Sequence, residues 1–532
     1  MTLNSYYSIA YLAVFLPVVV AAYTAVPKKA RWAVLLAASG FFFWCISGKL
    51  LIWLIVSVIS IHYAGIWLSL LKEERGRCLA EAPKGEKRAI RQRFQKKMLA
   101  VASGMALFNI GLLTALKYTP FFAGNINSLL SGLGIEKTLP VPALAVPIGI
   151  SFYTLQAVSY VMDVYREKIP AERNLFRLAL YMSFFPQLME GPICRYAQTA
   201  HVLWAGERIR FANLVSGAQR IIFGMMKKLV IADRLNPFIK NVFSDYMSYD
   251  GGVTALAAVL YTCQLYMDFS GTMDIVIGTG EIFGVRLPEN FRQPFFSRTI
   301  SEFWQRWHIT LGTWFKDYVF FPLSMTKPMK NMTARARKRI GSHYGPLIAG
   351  AVSLGAVWLL NGLWHGAGWH YIFFGLYHFT WILAGSLIQP VSEKLCRRLH
   401  IRRTGCAWQA MQIVRTAVLV CVGELFFRAE GLRAGLKMFW NMVCNFRLDA
   451  LADGTLFQMG FDRKDALIVG AALIFIFVNS VLKERRVCPR QWLAARPLAV
   501  RWALCYGLIL FVVIFGAYGV GYVPLDPIYA NF

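Results

Sequence analysis

Two histidine segments hold the residues best suited to proton-transfer chemistry. The first runs Ser301-Glu302-Phe303-Trp304-Gln305-Arg306-Trp307-His308. Aromatic and apolar residues recur at 304, 307, 311, 314, 315 and 318, which on a helix is one continuous stripe. The spacing predicts one helix here, with His308 four residues after Trp304 on its buried face. Glu302, Arg306, Thr313, Lys316 and Asp317 fall largely off the stripe, so the pattern also fits an amphipathic helix lying in a membrane interface. The second segment, Asn361-Gly362-Leu363-Trp364-His365-Gly366-Ala367-Gly368-Trp369-His370, sits between two strongly apolar runs. An ionisable group at such a place is a candidate for function. Its glycines would let a substrate or a second helix approach the backbone.

A histidine, with a reference pKa of about 6.5, suits the role of general base toward a weak nucleophile such as a hydroxyl. The rival reading is a metal site. His365, His370 and His378 are spaced by five and eight, which does not gather them on one helical face, and no Asp or Glu occurs between Asp317 and Glu393. The sequence therefore predicts no metal and no bound cofactor. Gly278-Thr279-Gly280-Glu281-Ile282-Phe283-Gly284 has glycines spaced like a dinucleotide loop but lacks the surrounding strand and helix, so it reads as close helix packing.

The elements that carry these residues are membrane helices. Of 532 residues, 57% are hydrophobic and 16% charged, against about 25% charged in soluble domains. Continuous apolar runs such as Ile9–Ala25, Leu50–Leu71 and Trp502–Val520 match the ~20 residues needed to cross a bilayer. Ile9–Ala25 lacks a basic n-region and a cleavage site and reads as a retained first span. The net charge of +29 collects in short clusters: Lys72–Lys97 holds ten Lys or Arg against four Glu, Lys327–Arg339 holds six and no acid, and Lys394–Arg403 and Lys483–Arg490 follow the pattern. Such clusters are cytoplasmic loops facing anionic lipid, not a nucleic-acid surface. Ten scattered cysteines without Cys-x-x-Cys spacing support neither a zinc ribbon nor a redox motif. The expected fold is all-α and polytopic, a single domain over residues 1–532. It has about 11–12 spans with both termini outside. Between Asn174 and Tyr318 the apolar stretches look short and proline-broken, which predicts re-entrant or tilted helices around a central tunnel.

Further stretches carry a likeness. They are Pro147-Ile148-Gly149-Ile150-Ser151-Phe152, Ser159-Tyr160-Val161-Met162-Asp163-Val164-Tyr165-Arg166, Gly191-Pro192 with Arg195-Tyr196, Asp268-Phe269-Ser270-Gly271 with Asp274, and Pro288-Glu289-Asn290-Phe291. After them come the two histidine segments, Trp314-Phe315-Lys316-Asp317-Tyr318, and Phe426-Phe427-Arg428-Ala429. In this order they resemble the membrane-bound O-acyltransferase family, in particular its alginate O-acetyltransferase branch, over about residues 146–430. The chain is also similar to the D-alanyl transfer protein of teichoic acid. Like that protein, it lacks the Gly-Gly-Asn-Arg turn of alginate-type relatives and has Pro322-Leu323-Ser324-Met325-Thr326-Lys327 instead.

The resemblance implies that His365 is the catalytic histidine and His308 a second functional one. Asn361, Trp364 and the Gly366 backbone are candidate oxyanion donors. Trp304, Trp307, Arg306 and Asp317 complete the expected substrate-binding set. It further implies a bacterial cell-membrane enzyme using cytoplasmic acetyl-CoA, a cell-surface polysaccharide acceptor and an extracytoplasmic esterase-like partner, with D-alanyl transfer from a carrier protein as the alternative. A transporter or flippase would more often show repeated halves, and none is evident. Because His308 precedes one basic cluster and His365 ends the following outward span of about 30 Å, the histidines should bracket a passage through the membrane, and a bent pair of helices is expected around a narrow tunnel open at each end.

Overall fold

The computed structural model describes residues 3, 5–142 and 144–518. Helices make up most of these residues, with no strand among them. Seven helical segments are long and apolar enough to cross a membrane: Lys28–Glu81, Lys87–Gly132, Lys327–His365, Trp369–Arg398, Cys406–Arg428, Arg463–Glu484 and Leu498–Phe515. Large apolar side chains such as Val352, Val414, Ile474 and Phe477 stand exposed on them. That is expected of surfaces meeting lipid. The first segment contains two of the expected spans, Arg31–Ser47 and Leu51–Glu81, joined by a short turn whose Gly48 takes a left-handed φ of 52°. The N-terminal Ala10–Ala25 is shorter. The end of the last expected span, at residues 519–520, lies outside the described residues.

The helices form two compact units. The first comprises residues up to 218 together with 276–288. In it Leu51–Glu81 and Lys87–Leu113 pack with Ile150–Tyr165. Ile150–Tyr165 is buried along nearly its whole length and is sheltered by protein. A Cβ on Gly65 would stand 2.8 Å from the Tyr160 hydroxyl, and that hydroxyl accepts the Glu172 N–H at 2.9 Å. Arg75, Arg91, Gln95, Tyr165 and Arg166 line a cleft of about 630 Å³ in this unit. The glycine-rich stretch packs here as well, since a Cβ on Gly217 would meet the Gly278 carbonyl at 2.5 Å.

The second unit, residues 219–275 with 289–518, contains both histidine segments. The expectation of short, broken helices is corrected here, for Gly251–Ile282 is one 32-residue helix, of which residues 251–275 belong to this unit. Its polar residues conceal it from a hydropathy reading, because they are buried and paired. The Lys228 ammonium, fully buried, lies 2.7 Å from Asp268 and 2.9 Å from Asp233. Lys227 meets Asp274 at 2.7 Å, and Arg220 meets Asp274 at 3.0 Å and Glu289 at 2.6 Å. A buried charge is tolerable only when paired in this way. Close approach is secured by glycines: a Cβ on Gly224 would reach the Gly271 carbonyl at 2.5 Å. A second correction concerns Lys327–Arg339, which is not a loop. It forms the exposed start of the helix Lys327–His365, which kinks at Gly341, where φ is 87°.

Candidate functional site

His308 does not lie on an uninterrupted helix. The segment breaks into Ile300–Arg306 and Ile309–Phe315, and His308 takes φ 46°, ψ 51° between them. This left-handed conformation is uncommon for a residue with a side chain. Asn290 holds the break. Its backbone carbonyl accepts the Ile309 N–H at 3.0 Å, and its side-chain oxygen accepts the Thr310 N–H at 3.1 Å and the Thr310 hydroxyl at 2.9 Å. Arg292 N–H donates to the Arg306 carbonyl at 2.9 Å on the other side of the turn. The His308 Nδ1 lies 3.3 Å from the same Asn290 oxygen, and its ring meets Phe269 edge-on at 4.8 Å. Only 2% of His308 is exposed, and burial pushes its pKa down to about 3, so the imidazole is neutral.

His365 is the last residue of the helix Lys327–His365, and the chain turns through Gly366 and Gly368 into Trp369–Arg398. The two helices can pack this closely because of their glycines. A Cβ on Gly362 would stand 2.4 Å from the Tyr371 carbonyl, and one on Gly375 would stand 2.3 Å from the Trp358 carbonyl. Of the two uses expected for these glycines, helix approach is the one Gly362 serves. The buried His365 ring lies 5.0 Å from Trp364, 5.1 Å from Phe427 and 5.8 Å from Phe374. Trp364 also meets His308, at 5.6 Å. Both histidines therefore meet the same indole ring and are not separated by the ~30 Å of a full span. The bending of the helices, not the distance along one of them, sets their relation.

The remaining expected site residues divide. Asn361 is buried one helical turn before His365, and its side-chain oxygen has no hydrogen-bond partner among the described residues. Trp304 joins the cluster through Trp358 at 4.9 Å and Phe374 at 5.9 Å. Trp307 instead packs against Phe291 at 5.0 Å and Tyr266 at 5.8 Å. Arg306 is engaged in ion pairs with Glu302, at 2.8 Å, and with Glu484. Asp317 lies in the partly exposed π-helical turn Lys316–Phe320. From its spacing in the sequence His378 is a candidate metal ligand only. Its wholly buried ring stands 4.7 Å from Phe374 and 4.8 Å from Trp304, inside the cluster. Glu424 is buried as well, on Cys406–Arg428, and one carboxyl oxygen has no hydrogen-bond partner among the described residues. No motif flagged it. A lone acid amid an apolar span was the available signal.

The model of the membrane-bound O-acyltransferase family matches residues 167–337, a stretch that contains His308 and ends before His365. The chain is 33% identical to a probable alginate O-acetylase AlgI of Azotobacter vinelandii, over 70% of this chain and 67% of that protein. It is 30% identical to the probable alginate O-acetylase AlgI of Pseudomonas putida, over 90% of this chain and 88% of the relative. The chain belongs to the membrane-bound O-acyltransferase family. This acyltransferase is also 33% identical to the teichoic acid D-alanyltransferase of Bacillus subtilis, over 53% of this chain and 69% of that protein. It is an O-acyltransferase and a multi-pass membrane protein of bacterial type, as its relatives and its apolar helices together establish.

Proposed function

We propose that this acyltransferase takes an acetyl group from acetyl-CoA at the cytoplasmic face and passes it outward for O-acetylation of a cell-surface polysaccharide. The observation that carries this reading is the contact of both His308 and His365 with the Trp364 ring, which concentrates two imidazoles in one buried aromatic cluster. In the transfer, the acceptor hydroxyl oxygen attacks the thioester carbonyl while His365 takes the hydroxyl proton. The C–S bond then breaks, and the proton passes to the departing thiolate to give free CoA. The Asn361 side chain and the backbone beyond His365 are the donors proposed for the transient oxyanion. His308, whose ring meets Trp364 at 5.6 Å, is the second histidine of the reaction. Lys327–Arg339 supplies cations for the phosphates of the donor. An extracytoplasmic esterase-like partner completes transfer to the polymer.

The polysaccharide acceptor is supported by relatives named alginate O-acetylases and by a peptidoglycan O-acetyltransferase of Helicobacter pylori that is 31% identical. The teichoic acid D-alanyltransferases support the alternative donor, a carrier-bound D-alanyl group. The test uses the full-length protein in lipid, with labelled acetyl-CoA or a D-alanyl carrier protein as donor. Acyl-group loss from the donor and acyl groups on the acceptor are both measured. Turnover of acetyl-CoA that falls about 10²–10⁴-fold in His365→Ala and His308→Ala, with normal membrane abundance, is the expected result. Turnover of the D-alanyl donor alone, or wild-type rates in both variants, would overturn it.

A further inference from the structure

Asn290 has a chemical consequence for His308 that its capping contacts determine. A backbone N–H can only donate, so the Asn290 atom 3.1 Å from the Thr310 N–H must be the side-chain oxygen. The same amide's nitrogen then points the other way, where it lies 3.4 Å from the sulfur of Met273. The orientation of the amide is thus fixed by groups other than His308. The His308 Nδ1, at 3.3 Å from that oxygen, faces an acceptor and has to carry the proton. A neutral imidazole holds one proton, so Nε2 keeps its lone pair.

We propose that Asn290 is a positioning residue that locks His308 as the Nδ1–H tautomer and presents Nε2 as a proton acceptor. Three features make the lock rigid. Asn290 grips the turn at both its backbone carbonyl and its side chain, through Ile309, Thr310 and His308. The side chain is itself 1% exposed, so water does not compete for the oxygen. Phe269 and Trp364, edge-on to the ring at 4.8 and 5.6 Å, oppose its rotation. In this state His308 can take a proton at Nε2 but has none to give there. Within the acetyl transfer proposed above, on which this role rests, His308 enters as a base or as a hydrogen-bond acceptor for the hydroxyl or thiol. It does not act first as an acid toward the departing sulfur. The assignment also explains why the turn tolerates a left-handed residue: the strain at His308 is held by the contacts that orient its ring.

The test has a spectroscopic arm and a kinetic arm, both on the full-length protein in lipid. Solid-state NMR of ¹⁵N,¹³C-histidine-labelled protein, with His308 picked out by difference against His308→Gln, should show a protonated, pyrrole-type Nδ1 and a pyridine-type Nε2 at pH 7. An Nε2–H tautomer or an imidazolium would overturn the proposal, whatever the kinetics show. In the kinetic arm, Asn290→Leu removes the acceptor at similar volume. It should lower kcat at least about tenfold, with KM for acetyl-CoA within about threefold of wild type. Asn290→Asp, which keeps an oxygen at the same place, should recover more than half of the lost rate on a logarithmic scale. Thr310→Val, which removes one of the capping donors but leaves His308 its partner, should stay within about threefold of wild type. A wild-type kcat in Asn290→Leu, or equal losses in the Leu, Asp and Thr310→Val variants, would reduce Asn290 to a structural cap and overturn the proposal. If His308→Ala keeps full activity, the catalytic reading of His308 fails, while the tautomer measurement still decides the lock. Should Asn290→Leu fail to accumulate, the wild-type spectrum decides alone.

Discussion

Trp304 meets His378 edge-on, with ring centroids 4.8 Å apart and planes inclined at 76°. Neither nitrogen of His378 has a hydrogen-bond partner among the described residues, although the side chain is wholly buried. A buried polar group left unpaired costs about 1–3 kcal/mol. Leucine at this position removes the unpaired nitrogens and keeps most of the volume, so His378→Leu should unfold at the same temperature as wild type or higher. His378→Ala leaves a cavity beside Trp304, Trp358 and Phe374 and should lower the unfolding midpoint, as large-to-small core changes of about 2–5 kcal/mol do. Thermal unfolding of the detergent-solubilised protein checks both. A His378→Leu variant as unstable as His378→Ala would mean that the imidazole has a polar partner after all.

The packing of the two central helices gives a paired prediction within one element. On Lys327–His365, a Cβ at Gly362 would stand 2.4 Å from the Tyr371 carbonyl, whereas one at Gly350 would meet nothing within 4 Å. The obstacle at Gly362 is backbone and cannot swing aside. Gly362→Ala should therefore push Trp369–Arg398 away, displace His365 and abolish transfer. Gly350→Ala should leave activity unchanged and stabilise its helix by about 0.5–1 kcal/mol, the usual difference between the two residues. Activity per folded molecule, measured for the two variants side by side, checks this, and equal behaviour would refute the packing argument.

What could be read in advance depended on whether one segment's chemistry decided its own structure. The helices Cys406–Arg428 and Arg463–Glu484 were legible because an unbroken apolar run dictates a membrane helix. The two histidine segments were legible because their residue types stand out from such surroundings. The break at His308 was not legible. The local stripe from Trp304 to Tyr318 favours one helix, and the contacts that break it come from Asn290, eighteen residues away. Gly251–Ile282 was missed for a related reason. The prolines of residues 174–318 suggest breaks throughout, but this helix lies between Pro237 and Pro288. Its Asp268 and Asp274 are balanced by Lys228, Lys227 and Arg220, which only the fold brings against them. His378 was weighed only for its spacing to other histidines, and its neighbours Trp304 and Phe374 belong partly to a distant segment. Contacts far apart in sequence have no local periodicity to announce them.

The ion pairs of Lys228 predict how the core will fail. Its ammonium is enclosed by Asp233 at 2.9 Å and Asp268 at 2.7 Å, and all three side chains are almost wholly buried. Lys228→Met removes one charge and leaves two carboxylates unbalanced, which typically costs about 3–5 kcal/mol. The variant should be depleted from the membrane or strongly destabilised. Adding Asp233→Asn and Asp268→Asn removes the stranded charges and should restore a large part of the loss. Membrane abundance and unfolding midpoint of the single and triple variants check this. A triple variant no better than Lys228→Met would show that Lys228 acts through its packing and not its charge.

The buried neutral His308 should make stability depend on pH. In the folded protein burial holds its pKa at about 3, against about 6.5 for an unfolded histidine. The folded state therefore refuses a proton that the unfolded chain accepts as pH falls. The folded-state pKa lies below the unfolded one, so this contribution is fully in place above about pH 6.5 and is lost progressively as pH falls toward 3. Glutamine at 308 does not titrate. The unfolding midpoint of wild type should consequently decline more steeply than that of His308→Gln between pH 7 and pH 4, whatever the offset between them at neutrality. The comparison cancels the titration of all the groups the two proteins share, provided their burial is unchanged. Midpoints measured at matched pH steps in one detergent, with parallel curves for the two proteins, would show that His308 takes up its proton equally in both states and that its burial in the aromatic cluster is not maintained in solution.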